Sequence, residues 1–215
     1  MHASSDQSGV ARRRFLKGVL ATAAGSVLVP ATARPAQAAG TLPAVGQTVN
    51  LSVSVVGAVM TTGLQPGEHT LNFIGSRGAK VMEGGPDFVR LQTLNFQITA
   101  EHPNFGEIIM RLPDIDVSPP STLRVSSGEL TETWIENLQI SFAKAGDTEG
   151  PFSFATEKPL QATATMPDWP PHEGTNPDGS PAGVLYSADQ MPTFTADDWR
   201  VDFTAFPVHL GHQAP

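Results

Sequence analysis

Trp199-Arg200-Val201-Asp202-Phe203-Thr204-Ala205 places an apolar side chain at every second position and a polar one between. That is the period of a strand with one face buried and the other in water. The same alternation recurs throughout the chain. Val49, Leu51, Val53 and Val55 share one phase, and Leu71 and Phe73 follow the turn-like Gln65-Pro66-Gly67. Val89 and Leu91 lie in one phase while Leu94, Phe96 and Ile98 lie in the other, so a bulge near Thr93 is needed to keep one face inward. Ile108, Met110 and Leu112 follow Pro103-Asn104-Phe105-Gly106, and Leu123 and Val125 follow Pro119-Pro120. Trp134, Leu138, Ile140 and Phe142 share a phase within one run from Thr131 to Ala143, which Glu136 interrupts. Leu160, Ala162, Ala164 and Met166 form a further strand between Pro159 and Pro167. Roughly eight to ten short strands separated by turns predict an all-β chain, an antiparallel β-sandwich or β-barrel.

One segment breaks the rhythm. Met166 to Pro192 carries Pro167, Pro170, Pro171, Pro177, Pro181 and Pro192 with Gly174, Gly179 and Gly183. It is longer than the ~15 residues beyond which structureless loops are uncommon. Its Trp169, Leu185 and Tyr186 predict an ordered Pro/Gly-rich loop packed over a barrel mouth or a sandwich edge.

The first residues are of another kind. Arg12-Arg13-Arg14-Phe15-Leu16-Lys17 precedes a weakly apolar stretch from Gly18 to Val29, interrupted by Thr22, Gly25 and Ser26. The stretch falls short of the ~20 apolar residues of a membrane span. Ala36-Gln37-Ala38 then offers the small residues that a signal peptidase reads, placing a cut before Ala39. In this order the segment resembles a twin-arginine (Tat) signal peptide, with Ala11 where Ser or Thr is more usual. The resemblance covers residues 1–38 and implies two partners. The Tat export machinery would read Arg12, Arg13, Phe15, Leu16 and Lys17, and signal peptidase would read Ala36 and Ala38. It also implies delivery of a folded single domain, 39–215, to the periplasm, the cell-wall space or the medium.

Composition excludes several classes. The 215 residues include no Cys, so neither disulfides nor thiolate metal sites are available. Removal of residues 1–38 takes away Arg12, Arg13, Arg14, Lys17 and Arg34 against Asp6 alone, so the chain's net charge of 8 negative deepens to 12 negative. That acidity argues against nucleic acid as a partner. No later segment is long and apolar enough for stable membrane insertion as a helix.

Motifs for nucleotide or serine-hydrolase chemistry are missing. Gly75-Ser76-Arg77-Gly78 has the wrong spacing for a nucleophile elbow, and neither a phosphate-cradling loop nor a dinucleotide fingerprint occurs. No cofactor is predicted, although a divalent metal could draw on His172 and Asp178 in the long loop or on His209 and His212 near the end. Asp114 and Asp116 form an i, i+2 carboxylate pair that reads first as an exposed turn between Pro113 and Pro119. Glu136 is the acid to examine first. It occupies an otherwise apolar phase, where burial would raise its pKa and suit it to acid/base work or to a ligand hydrogen bond. Arg90 and Arg111 are its candidate counter-charges, and Trp134, Trp169 and Tyr186 are the candidate aromatic lining of a ligand site.

Two function classes fit these residues. The first is an exported all-β binding or accessory protein holding a small, mainly apolar molecule. The second is an enzyme working through carboxylate acid/base groups or a His/carboxylate metal site.

Overall fold

A computed structural model describes residues 40–114, 118–172, 174–175 and 181–212. The described secondary structure is all β: β1 (Thr48–Thr62), β2 (Gln65–Met82), β3 (Phe88–His102), β4 (Gly106–Arg111), β5 (Ser121–Ser126), β6 (Glu129–Glu136), β7 (Gln139–Ala145) and β8 (Thr148–Thr156). There follow β9 (Leu160–Met166), β10 (Gly174–Thr175), β11 (Pro181–Ala182), β12 (Val184–Ala188), β13 (Thr193–Ala196), β14 (Trp199–Ala205) and β15 (Val208–Gly211). Thirteen of these strands form one antiparallel sheet, and β10 and β11 pair separately.

The sheet closes on itself twice. One circuit runs β1, β2, β3, β4, β7, β8, β13, β14 and back to β1, and the other runs β1, β2, β3, β5, β6, β9, β12, β15 and back to β1. The three long strands serve both. β15 pairs with β1 over Ser52–Val55 and β14 pairs with it over Val59–Thr62, so the two lie in sequence along one edge. β5 and β4 do the same along β3, over Phe88–Leu91 and Gln97–His102. The expectation of an antiparallel barrel or sandwich holds, and pairing supplies the closure that alternation alone could not.

Both circuits bury the same face of the long strands. In β2 the buried residues Leu71, Phe73, Arg77, Ala79 and Val81 keep one phase throughout. β1 and β3 change phase midway, and each uses a bulge to do so. In β1 the buried set passes from Val53 and Val55 to Ala58 and Met60 across a register shift, where Gly57 adopts a positive φ of 76° and its N–H donates to Asn72 Oδ1 at 2.8 Å. In β3 it passes from Leu91 and Thr93 to Phe96 and Ile98, and the extra residue is the exposed Leu94. This is the bulge that the alternation near Thr93 required. Gly75 is needed for a different reason: a Cβ there would lie 2.0 Å from the Gln97 carbonyl oxygen of β3.

Three expectations are corrected. The first turn falls at Gly63-Leu64, and Gln65 already belongs to β2. The run from Thr131 to Ala143 is two strands in different circuits. Asn137 N–H donates to Ser118 Oγ at 2.7 Å and Leu138 N–H to Thr156 Oγ1 at 3.0 Å, so side-chain hydroxyls take the backbone donors and end the ladder. The long Pro/Gly-rich segment is not wholly a loop, because Val184–Ala188 is a wall strand between β9 and β15.

The two circuits enclose different interiors. The first is packed with aromatic rings, including Phe105 against Phe142 at 5.1 Å and Phe203 against Phe194 and Phe206 at 6.0 and 5.1 Å. The second contains buried charge.

Candidate functional site

β6 points Leu130, Glu132, Trp134 and Glu136 into the second circuit, since every second residue of a strand faces one side. Glu132 and Arg77 of β2 are both 0% exposed. Arg77 Nη1 donates to Glu132 Oε1 at 2.5 Å, its Nε donates to Thr93 Oγ1 at 3.2 Å, and its guanidinium carbon lies 5.0 Å from the centre of the Trp134 ring. The second oxygen of Glu132 accepts from Tyr186 OH at 2.8 Å and from Trp169 Nε1 at 3.1 Å. Burial first, then the Glu132 carboxylate, holds the Tyr186 phenol well above its ordinary pKa, so it acts as a neutral donor. Arg77 Nη2 is buried and has no hydrogen-bond partner among the described residues.

Glu136 lies two residues beyond Trp134 on the same face of β6 and is 2% exposed. Trp134 Nε1 donates to its Oε2 at 3.2 Å. Burial raises its pKa above the usual carboxylate range, opposed by the Thr93 hydroxyl, the Arg77 charge, the Trp134 N–H and the Ser118 hydroxyl. No ion pair within 4.0 Å reaches Glu136 among the described residues, where Arg77 is committed to Glu132.

A cleft of about 730 Å³ leads to this carboxyl. β3 pairs with β5 only as far as Leu91 and with β4 only from Gln97, which leaves its edge unpaired between them. The cleft opens there. Its buried lining is Val81, Leu91, Thr93, Ser121 and Glu136, the half-buried Lys80, Ser118 and Ile135 flank these, and Met82, Glu83, Arg90, Pro119 and Pro120 stand at the exposed rim. The lining is mixed, with Val81, Leu91 and Ile135 beside the hydroxyls of Thr93, Ser118 and Ser121, and one carboxyl at the inner end. Small-molecule sites likewise combine apolar surface with a few placed polar groups.

Of the residues singled out from sequence, Glu136, Trp134, Trp169 and Tyr186 meet in this one network. Arg90 lines the cleft without touching Glu136. Arg111 is elsewhere, exposed and bonded to Gln139 at 3.3 Å and to Asp114 at 3.6 Å. The charge facing Glu136 is Arg77, a residue the sequence offered only as part of a failed elbow motif. Glu132, whose inward phase matches that of Trp134 and Glu136, and Thr93, which alternation marks only as the place of a bulge, complete the network. Among the described residues no group of three His, Asp or Glu side chains is placed to hold a metal ion. His212 Nδ1 is engaged by the Asn50 carbonyl at 2.8 Å, and His209 sits in β15 opposite Ser54 and Leu185. His172 meets His212 only through an isolated backbone bridge. Asp116, Asp178 and the signal segment lie outside the described residues.

No family model and no curated protein matches the chain. Among solved structures the chain is similar to DynF from the dynemicin biosynthesis pathway of Micromonospora chersina, with 15% sequence identity. The match covers 95% of this chain and 94% of that one at a TM-score of 0.61, which identifies a shared fold.

Proposed function

We propose that this chain is an exported all-β protein that binds a small, mainly apolar molecule in the cleft, with a polar end of the ligand against Glu136. The observation that carries the reading is the cleft itself, about 730 Å³ with Val81, Leu91 and Ile135 in its lining and a buried carboxyl at its inner end. The polar cluster behind it is held by hydrogen bonds, so the inner end is a fixed surface against which a ligand can be oriented. The fold shared with DynF, a protein of the dynemicin biosynthesis pathway, is compatible with a small-molecule role. Native mass spectrometry of protein purified from its natural source tests the reading. A stoichiometric small-molecule adduct lost on denaturation is expected, and an adduct-free protein that takes up no apolar probe would overturn it.

Export rests on the twin-arginine resemblance. Replacing Arg12 and Arg13 by Lys should retain the protein in the cytoplasm, and the exported form should begin at Ala39. Export undiminished by the double replacement would remove this part of the proposal.

An enzyme using Glu136 as a general acid or base is the second reading, favoured by the raised pKa of a carboxyl that lines a cleft. Chemical conversion of the extracted adduct by the wild-type protein, lost in Glu136→Gln, would establish it.

A further inference from the structure

The small-molecule reading leaves the chemistry of the ligand open, and the charges around the inner end of the cleft narrow it. The one buried cation there, Arg77, is neutralised by Glu132 at 2.5 Å. Tyr186 and Trp169 complete the Glu132 hydrogen bonds as neutral donors. Among the described residues Glu136 has no cationic partner within ion-pair distance, and an ionised carboxylate so deeply buried is costly unless it is paired. Trp134 donates to Glu136 Oε2, an arrangement that a proton on Oε1 would leave intact.

We infer that the cleft takes a neutral ligand through a carbonyl-type oxygen that accepts a hydrogen bond from the carboxylic acid of Glu136, and that it discriminates against the matching carboxylate anion. The inference rests on the small-molecule reading and names the ligand class for the same site. An anion carried to the inner end would place a second negative charge beside Glu132, where Arg77 is already paired and neither Lys80 nor Arg90, the other described cations of the cleft, forms an ion pair with Glu136. A carbonyl oxygen adds no charge and can accept the acid proton in competition with the Thr93 and Ser118 hydroxyls beside Glu136.

The groups that face Glu136 set the pH behaviour. They are Arg77 and Lys80 from β2, Arg90 from β3, Glu83 beyond the end of β2, Glu132 on its own strand, and Tyr186 of β12 through Glu132. No histidine is among the described residues lining the cleft. Ketone binding should therefore weaken as rising pH ionises Glu136, without a histidine titration at the same site.

The test is calorimetric titration of the full protein with 2-acetylnaphthalene and with 2-naphthoate, a ketone and a carboxylate on the same ring system. The ketone is expected to bind at least about tenfold more tightly at about pH 5, a ratio of the size one good hydrogen bond supplies, and to weaken towards about pH 8. In Glu136→Gln, checked for folding by circular dichroism, the pH dependence should flatten, and in Glu136→Ala ketone affinity should fall about tenfold. Naphthoate binding as well as the ketone, or ketone binding by wild type that ignores pH, overturns the inference and leaves the small-molecule reading standing. Binding of neither probe, together with an adduct-free native protein, overturns both.

Discussion

Arg77 and Glu132 are separated by 55 positions in the chain, yet Nη1 of one donates to Oε1 of the other at 2.5 Å with both side chains fully buried. Withdrawing two charges from water costs several kcal/mol per ion, and the attraction between them offsets this only when the remaining polar atoms are also satisfied. Thr93, Tyr186 and Trp169 provide most of that satisfaction here.

Breaking this pair from one side should therefore cost more than removing it whole. Arg77→Met leaves the Glu132 carboxylate with neutral donors alone, and Glu132→Leu strands a guanidinium. Each is expected to lose about 3–5 kcal/mol in urea unfolding. Arg77→Met combined with Glu132→Leu should lose less than either single change, and a double variant whose loss equals the sum would show that the two residues are not coupled.

Tyr186 is the chain's sole tyrosine, so its phenol can be titrated without interference. Burial and the Glu132 carboxylate both oppose the phenolate, so near-ultraviolet absorbance should show none until alkaline unfolding begins. Tyr186→Phe should cost about 1.5–3 kcal/mol, the range for a hydrogen bond to a charged group.

Glu136 should make the protein less stable as pH rises. Its folded pKa lies above the ordinary value of 4.5, so between the two values the folded state holds a proton that the unfolded state has released. The contribution is fully present below the unfolded pKa and lost as pH passes through the folded one. Glu136→Gln should flatten this slope and be at least as stable as wild type near neutrality, as read from denaturation midpoints across pH. A wild-type slope unchanged in the variant would assign it to another group.

His102 should act in the opposite direction. Burial first, then the neighbouring His69 at a ring separation of 5.0 Å, lowers its pKa from 6.5. The unfolded chain takes up the proton first as pH falls, so stability present above 6.5 is lost as pH drops through the lowered folded value. His102→Gln should reduce this acid sensitivity, measured by the same pH series, while leaving the response near Glu136 unaltered.

The wall strands were legible because each buries one face and so writes its geometry as alternation. Even the Leu94 bulge was legible, since the phase reversal between Leu91 and Phe96 has no other solution on a single buried face. Arg77 was not. It sits among Gly75, Ser76 and Gly78, residues that signal a turn, and a buried arginine is intelligible only once Glu132 is known to lie opposite. Arg111 shows the same limit from the other side. As a candidate counter-charge it occupies a polar phase of its strand, and that phase faces outward to Asp114 and Gln139. A partner for an inward acid has to come from an inward phase. β12 was obscured by the prolines before it, because its short Val184-Leu185-Tyr186 core becomes a strand only between β9 and β15.

The seam between β1 and β15 joins Ser52 to Gly211 and Val55 to Val208. The strand made first among those described waits for the strand made last, and the circuit around the Arg77 cluster stays open until both are present. Folding of this kind cannot finish piecemeal as the chain leaves the ribosome, because its decisive contacts are long-range and are reached only when synthesis has passed Gly211. The interval before that moment is when β1 carries an unpaired edge, and it is when a chaperone or an unwanted strand from another molecule would have its opportunity.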